Sequence, residues 1–287
     1  MSTAFPIAPR TALFLPASNA RAIEKARGLP ADMIILDLED AVKDADKDSA
    51  RAAAQAAAGS FGDRPVAIRV NVRGSDHWKD DLKAVKRSAA THVVIPKVEE
   101  PTELTEAAWY ARRPILAMIE TPAGVMNVAQ IASASSSTTG WGVKMAGLIA
   151  GTNDLAAGLR LPPGAGRGSM TAALQLVVLA ARARQIWAID GVCNALDDPT
   201  RLEAECAEGR MLGFDGKSLI HPGQIDIATR AFSPNTREIA DAEALLAAFG
   251  GGAERHRGEM IEGMHVDAAR ALLARAGKTV DSPADIA

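Results

Sequence analysis

Short apolar runs alternate with helix-forming segments along most of this 287-residue chain. Helix-forming segments such as KDSARAAAQAAAG, which ends at Gly59, separate the runs. This alternation predicts parallel strands joined by helical crossovers. Eight strands in about 220 residues favour a closed (β/α)8 (TIM) barrel over a doubly wound sheet. The eight predicted strands are 11–17, 32–39, 65–71, 92–98, 114–121, 145–151, 188–194 and 216–222.

The doubly wound alternative lacks its usual phosphate-binding signal, because no G-x-G-x-x-G pattern follows an early strand and opens a helix. The segment GAGRGS (164–169) lies in a Pro- and Gly-containing loop, and we interpret it as a mobile connection. After the barrel, SPNTREIADAEALLAAF predicts a helix capped by Ser233 or Asn235, followed by a Gly-rich linker, an extended piece and another helix. We therefore expect a barrel over 1–232 and a C-terminal helical extension over 233–287 that acts as a lid.

Composition argues against several classes of function. The net charge of −3 and the aromatic content of 4% give no basis for binding nucleic acid or a membrane surface. The two cysteines, Cys193 and Cys206, are too few for a disulfide framework. No signal peptide or long apolar span is evident, so we expect a cytoplasmic protein.

Two carboxylates follow predicted strands at glycine- or proline-containing turns, Glu120 in ILAMIETPAG and Asp154 in GLIAGTNDLAAG. A carboxylate at such a position is costly to desolvate unless a cation meets it. Two of them on adjacent strands suggest a divalent metal with oxygen ligands, most plausibly Mg²⁺. The alternative is that each carboxylate accepts backbone N–H groups in a turn.

Other polar residues also follow predicted strands, where a barrel carries its active face. Asp37, Glu39 and Asp40 could orient metal-bound water, or they could cap a helix and form its first turn. Arg69 lies among apolar residues in VAIRVN, so it needs an anion, either a substrate or a salt bridge with Asp37 or Glu39.

Lys97 in VIPKVE could form a Schiff base, although we favour a structural ion pair. His77 and His221 have no spacing to a second His or Cys that suggests a transition-metal site, so we interpret both as hydrogen-bonding residues.

Taken together, several stretches resemble the citrate lyase beta-subunit family within the HpcH/HpaI aldolase superfamily. They are RTALFLPASNARAIEKA, ADMIILDLEDAV, VAIRVN, VVIPKVE, IETPAGV, GTNDLAAGL and LGFDGKSLIHPGQI, and the resemblance covers roughly residues 10–248. Members of this family are TIM barrels that use Mg²⁺ to make or break a C–C bond in a 3-hydroxy acyl thioester. The resemblance thus implies a Mg²⁺-dependent lyase that cleaves malyl-, citramalyl- or citryl-CoA to acetyl-CoA and a 2-keto acid, with coenzyme A as part of the substrate.

The resemblance also assigns roles by position. Glu120 and Asp154 would be the metal ligands, and Arg69 would contact the substrate's carboxylate and thioester region. Arg21 and Lys25 in NARAIEKA would meet the phosphates of coenzyme A. In relatives, an aspartate of a G-x-M-I-D stretch reaches a neighbouring subunit's site, and the matching residue in GEMIEGMH is Glu262.

Two residues depart from the family pattern: Glu262 replaces the aspartate, and Ala17 replaces the glycine of FxPG. We interpret Glu262 as the group that transfers a proton at the enolate carbon, and Arg69 as the group that stabilises the enolate. A lid that reaches a neighbour implies a homotrimer or homohexamer.

Three alternatives stay open. They are a metal-dependent aldolase that releases pyruvate from a free hydroxy-keto acid, a subunit that acts on an acyl-carrier-protein thioester, and a thioesterase for malyl-CoA-type substrates.

Overall fold

The computed structural model describes residues 7–136, 143–250, 252–256 and 259–278. They form two compact units, Ala8–Ala231 and the described part of Phe232–Ala287. Each unit has its own hydrophobic core.

The first unit is a closed barrel of eight parallel strands, as the sequence predicts. β1 pairs in parallel with β2 and also with β8, so the sheet has no free edge. The strands are buried on both faces, which explains why they are almost continuously apolar in sequence. Their bounds are β1 Thr11–Pro16, β2 Met33–Asp37, β3 Val66–Arg69, β4 His92–Ile95, β5 Ile115–Ile119, β6 Met145–Ala150, β7 Trp187–Asp190 and β8 Gly216–Leu219.

Helices follow the strands and surround the barrel. In this unit they are α1 Ala20–Ala26, α2 Lys47–Ala57, α3 Trp78–Arg87, α4 Pro101–Ala111, α5 Pro122–Met126, α6 Val128–Ala132, α7 Thr152–Gly158, α8 Thr171–Ala183, α9 Pro199–Leu212 and α10 Ile225–Ala231. Short 3₁₀ helices cover Asp44–Asp46, Ser133–Ser136, Arg167–Met170 and Pro222–Gln224. Among the described residues, none of the helices combines the length and apolar character needed to cross a bilayer.

Local signals fix the ends of these helices. Before α9, the side chain of Asp198 accepts the N–H of Arg201 at 3.0 Å, which satisfies one of the helix's unpaired donors. The helix ends at Gly213, whose φ of +98° is a left-handed conformation that residues with a Cβ rarely adopt.

All eight strands are shorter than predicted, because the chain leaves the sheet before the predicted C-terminal ends. The third strand, for example, covers Val66–Arg69 rather than 65–71, and Asn71 lies in the following loop. These loops carry most of the polar residues that the sequence analysis selects, and they lie together at one end of the barrel.

The second unit contains two helices and a small sheet. α11 (Thr236–Ala248) is capped by Asn235, whose side chain accepts the N–H of Glu238 at 2.9 Å. Within the predicted Gly-rich linker and extended piece, β9 (Glu254–His256) and β10 (Glu259–Ile261) pair antiparallel. α12 (Gly263–Arg275) packs against α11 through a core of Ala242, Ala269 and Leu273, with Ile239, Leu245, Leu246 and Leu272 at its edge.

Candidate active site

A cavity of about 400 Å³ opens among the C-terminal ends of the barrel strands. One part of its wall is acidic, with a single arginine, and the other part is apolar. The excess of carboxylates favours a cation, and Arg69 and the apolar part of the wall can hold an anionic molecule that accompanies it. The lining residues are Phe14, Pro16, Asp37, Asp40, Ala41, Arg69, Met118, Glu120, Ala150, Gly151, Thr152, Asn153, Asp154, Val192, Ser218 and Ile220.

Arg69 is held rigidly in this wall. Asp37 lies opposite Arg69 in the β2–β3 register. Its two carboxylate oxygens accept hydrogen bonds from Nε and Nη2 of Arg69, both at 2.6 Å. Burial alone would lower the pKa of Arg69, but the hydrogen bonds and charge of Asp37 outweigh it and raise the pKa above its ordinary value. The guanidinium is therefore a permanent, oriented positive charge, stacked at 5.0 Å on the Phe14 ring.

Asp37, Glu39 and Asp40 begin no helix. The side chain of Asp37 accepts the N–H groups of Glu39 at 2.9 Å and Ala41 at 3.2 Å, so the chain makes a tight turn. The next α-helix begins only at Lys47. The interpretation of these acids as a helix cap and first turn is therefore wrong, because Asp37 is committed to the turn and to Arg69.

Glu120 is the most perturbed carboxylate of the site. It follows β5, and its side chain is 2% exposed. Burial raises the pKa of Glu120 to about 7, and the negative charge of Glu39 adds to the effect. Among the described residues, the one hydrogen bond to its carboxylate comes from the backbone N–H of Lys97, 2.7 Å from Oε1.

Gly151 makes room for this carboxylate. It follows β6, next to Glu120, because Ile119 and Ala150 are paired in the β5–β6 register. A Cβ at Gly151 would collide with both Cβ and Oε2 of Glu120. The Glu120 carboxylate can therefore occupy this position only because Gly151 has no side chain.

Lys97 links several carboxylates of the site. Its Nζ donates to Glu39 Oε1 at 2.6 Å and lies 3.6 Å from Asp40 and 3.5 Å from Asp154. Burial would lower the pKa of Lys97, but the hydrogen bond to Glu39 outweighs it, so the pKa is raised. An amine held as an ammonium ion is a poor nucleophile, which favours the ion-pair interpretation over a Schiff base.

Glu120 and Asp154 could hold a divalent cation together. Asp154 lies in the first turn of α7, and its side chain is 41% exposed, so it faces the same cavity from a wetter position. Mg²⁺ commonly binds one or two carboxylates and keeps several waters. The described residues contain no group of three or more His, Cys, Asp or Glu side chains arranged around a metal position. The pKa of Glu120 is raised mainly by burial, with added contributions from the negative charges of Glu39 and Asp154, and a cation at this position would offset both effects.

The remaining predicted residues lie elsewhere. Arg21 and Lys25 are exposed on α1 and do not line the cavity. Glu262 belongs to the second unit, where it is the N-cap of α12 and its backbone N–H donates to His265 Nδ1 at 3.0 Å. The roles of these three residues stay predictions.

Sequence reasoning missed a buried lysine behind the site. Lys47 Nζ donates to the carbonyls of Leu38 and Glu39, both at 2.8 Å, and to Asn71 Oδ1 at 2.5 Å. It therefore fixes the turn that carries Glu39. Its position at the start of a helix gives no hint of burial in the sequence.

A second missed cluster lies at the ends of β7 and β8. Lys217 and Asp190 are both fully buried and pair at 2.9 Å. Asp190 also accepts from Arg167 at 2.6 Å, so this arginine connects the loop that contains GAGRGS to the barrel, and the mobility expected of that loop stays a prediction. A lysine within the short strand GKSL is a signal that a buried partner must exist, but it does not identify that partner.

A closed (β/α)8 barrel with a carboxylate-rich cavity at its C-terminal end defines a class that includes metal-dependent lyases and aldolases. This chain belongs to the HpcH/HpaI aldolase/citrate lyase family, which it matches over residues 10–222. The match confirms the resemblance found in the sequence.

Three relatives illustrate the similarity. The chain is 41% identical to a (3S)-malyl-CoA thioesterase of Cereibacter sphaeroides (strain KD131 / KCTC 12085), covering 93% of this chain and 94% of the relative. It is 35% identical to a citrate lyase subunit beta-like protein of Deinococcus radiodurans, covering 90% and 92%. Its fold matches the crystal structure of CitE from Mycobacterium tuberculosis in complex with magnesium, acetoacetate and coenzyme A, with a TM-score of 0.78, 31% identity and coverage of 95% and 99%.

Proposed function

We propose that this chain is a Mg²⁺-dependent enzyme that acts on a malyl- or citramalyl-type thioester of coenzyme A. The proposed reaction breaks the bond between C2 and C3 of the acyl group and releases acetyl-CoA and a 2-keto acid. The observation that carries the proposal is the cavity in which Glu120 and Asp154 lie beside the fixed guanidinium of Arg69. The magnesium and coenzyme A bound by the Mycobacterium tuberculosis relative support it.

In this proposal, Glu120 and Asp154 hold the metal. When bound, Mg²⁺ supplies Lewis acidity toward the oxygens of the substrate's hydroxy acid end. Arg69 binds the thioester region, and its charge stabilises the enolate that remains when the C–C bond breaks. Because Asp37 already orients the guanidinium at 2.6 Å, no reorganisation is needed as this charge develops.

Other residues carry out proton transfer and coenzyme A binding in the proposed reaction. The C3 hydroxyl loses its proton to solvent as the carbonyl of the 2-keto acid forms, and Glu262 delivers a proton to the enolate carbon, which yields the acetyl group and balances the protons. Arg21 and Lys25 meet the phosphates of coenzyme A, and their exposed positions on α1 leave both side chains accessible. Asp40 and Glu39 would orient the water that a bound metal carries.

Hydrolysis of the thioester is the second candidate. The observation that favours it is the 41% identity to a malyl-CoA thioesterase over 93% of the chain. Both reactions use the same acid end of the substrate, and only the access of water to the thioester carbonyl separates them. The products distinguish them, since hydrolysis gives free coenzyme A and an intact hydroxy acid.

The test is product analysis with (S)-citramalyl-CoA, malyl-CoA and citryl-CoA in turn, each with Mg²⁺ and with EDTA. We expect Mg²⁺-dependent acetyl-CoA and one keto acid, both lost in Glu120→Ala. Glu106→Gln is a matched control, because Glu106 is a carboxylate outside this cavity that pairs with Arg73 at 2.8 Å. Free coenzyme A without a keto acid would favour the thioesterase. No reaction with any ester, in protein that binds Mg²⁺, would contradict both.

A further inference from the structure

Lys97 has an unusual backbone conformation at the centre of the site. Its φ of +49° is in the left-handed region, which residues with a Cβ adopt rarely. This conformation directs the backbone N–H to Glu120 Oε1 at 2.7 Å while the side chain reaches Glu39 Oε1 at 2.6 Å. Lys97 therefore contacts one expected metal ligand with its backbone and approaches the other with its ammonium group.

The ammonium group is also the neighbour of Asp154. Nζ of Lys97 lies 3.5 Å from Asp154 Oδ2. Within the part of the chain that the structure describes, no other basic side chain comes within 4.0 Å of this carboxylate. In the metal-free protein, the ammonium group of Lys97 thus offsets the negative charge of the Asp154 carboxylate.

We propose that Lys97 is a built-in competitor of the divalent cation, and that its ammonium and Mg²⁺ exclude each other at Asp154. This inference rests on the proposed metal site. A divalent ion between Glu120 and Asp154 would lie within a few ångströms of the ammonium, and like charges at that distance repel strongly. The ammonium must therefore leave Asp154 when the metal binds.

The structure provides a position for the displaced side chain. Lys97 also lines a second cavity, of about 870 Å³, between the loop after β3 and helix α4. The carboxylates of this cavity outnumber its other cations, Arg73 and Lys79, so an excess of negative charge favours the displaced ammonium group. The carboxylates are those of Asp76, Glu99, Glu103 and Glu106. The backbone N–H of Lys97 can stay on Glu120 during this movement, because only the side chain has to turn.

The consequence is that Lys97 lowers the affinity of the site for metal. Removing its charge without altering the backbone should strengthen metal binding. Lys97→Met and Lys97→Gln both keep the N–H group that Glu120 accepts, whereas Lys97→Arg keeps the charge.

The experiment measures Mn²⁺ binding by electron paramagnetic resonance and Mg²⁺ binding by calorimetry, at one pH and ionic strength, without any coenzyme A ester. We expect Lys97→Met and Lys97→Gln to bind about tenfold tighter than wild type, which is about 1.4 kcal/mol, and Lys97→Arg to bind like wild type. Lys86→Met is the matched control, since exposed Lys86 on α3 lines neither cavity.

Unchanged or weaker binding in both neutral variants would overturn the inference. So would an equal gain in Lys86→Met, because that result would reflect net charge alone. Glu120→Ala separates this inference from the proposed function: if it binds metal as wild type does, the proposed metal site itself fails. If Glu120→Ala loses the metal while Lys97→Met shows no gain, only the role of Lys97 is rejected.

Discussion

Replacing Glu120 by glutamine should make the metal-free protein more stable at pH 8, although it removes a proposed metal ligand. Burial and the nearby charge of Glu39 raise the pKa of Glu120 to about 7. At pH 8 the folded, metal-free protein must therefore hold an ionised carboxylate in a place that favours the neutral acid. A glutamine has nearly the same shape, keeps an acceptor for the Lys97 N–H and has no charge.

The sign and size of this effect follow from proton linkage. The unfolded carboxyl ionises near its ordinary value of 4.5, whereas the folded one ionises near 7. Between these values the folded state binds more protons, so wild-type stability falls as the pH rises. The full rise of the pKa corresponds to about 3 kcal/mol. The glutamine amide gains no partner for its N–H₂ group, so we expect a net gain of about 1–3 kcal/mol above pH 7.

The assay is urea unfolding in EDTA at pH 4.5, 6, 7 and 8. The advantage of Glu120→Gln should be absent at pH 4.5 and complete at pH 8. Glu106→Gln is the control, since Glu106 forms a partly exposed ion pair and should give a change of about 1 kcal/mol or less. With Mg²⁺ the order should reverse, because metal binding stabilises only the protein that binds it. A stability difference independent of pH would refute the reasoning.

Three further perturbations test other parts of the barrel. Asp37→Asn removes the two-pronged partner of buried Arg69 and leaves Glu39, 3.0 Å away, as its main carboxylate, so we expect a loss of about 2–3 kcal/mol in urea unfolding, less than for a buried charge left unpaired. Gly151→Ala places a methyl group against Glu120, and we expect a large loss of Mn²⁺ affinity with little change in circular dichroism. Burial lowers the pKa of His92 to about 4. The wild-type protein should therefore lose up to about 3 kcal/mol of its free energy of unfolding as the pH falls from 6.5 towards 4. His92→Phe should abolish this loss, as measured by urea unfolding.

Each of these expectations has a contradicting result. A loss below about 1 kcal/mol in Asp37→Asn would mean that Arg69 is solvated in solution. Wild-type Mn²⁺ affinity in Gly151→Ala would mean that the Glu120 carboxylate does not lie against this backbone. An unchanged acid sensitivity in His92→Phe would assign that sensitivity to other groups.

The barrel could be predicted from the sequence because its strands are short, apolar and separated by helices, and few other folds have this pattern. The Arg69 ion pair could also be anticipated, since an arginine among apolar residues needs an anion. The strand register then explains why Asp37 is the main partner, as the two residues are opposite each other in β2 and β3.

The buried lysines could not be assigned from the sequence. Lys217 pairs with Asp190, which precedes it by 27 residues, and Lys47 pairs with carbonyl groups that carry no sequence signature. The dual contact of Lys97 depends on one left-handed backbone angle, which no local pattern around VIPKVE indicates. Contacts that depend on backbone geometry can be identified only in the folded structure, whereas contacts that depend on charge and burial can be predicted from the sequence.

The closure of the barrel through β1 and β8 has a consequence for how the protein is made. Thr11–Pro16 leaves the ribosome early, yet one of its two sheet edges stays unpaired until Gly216–Leu219 has been synthesised. An unpaired apolar strand is a template for wrong pairing with other chains. The candidate cavity is lined by Phe14 from the first strand and by Ser218 from the last. The candidate site is therefore complete only when β8 has joined β1, so chains that stop before β8 are predicted to lack the site and to be prone to aggregate.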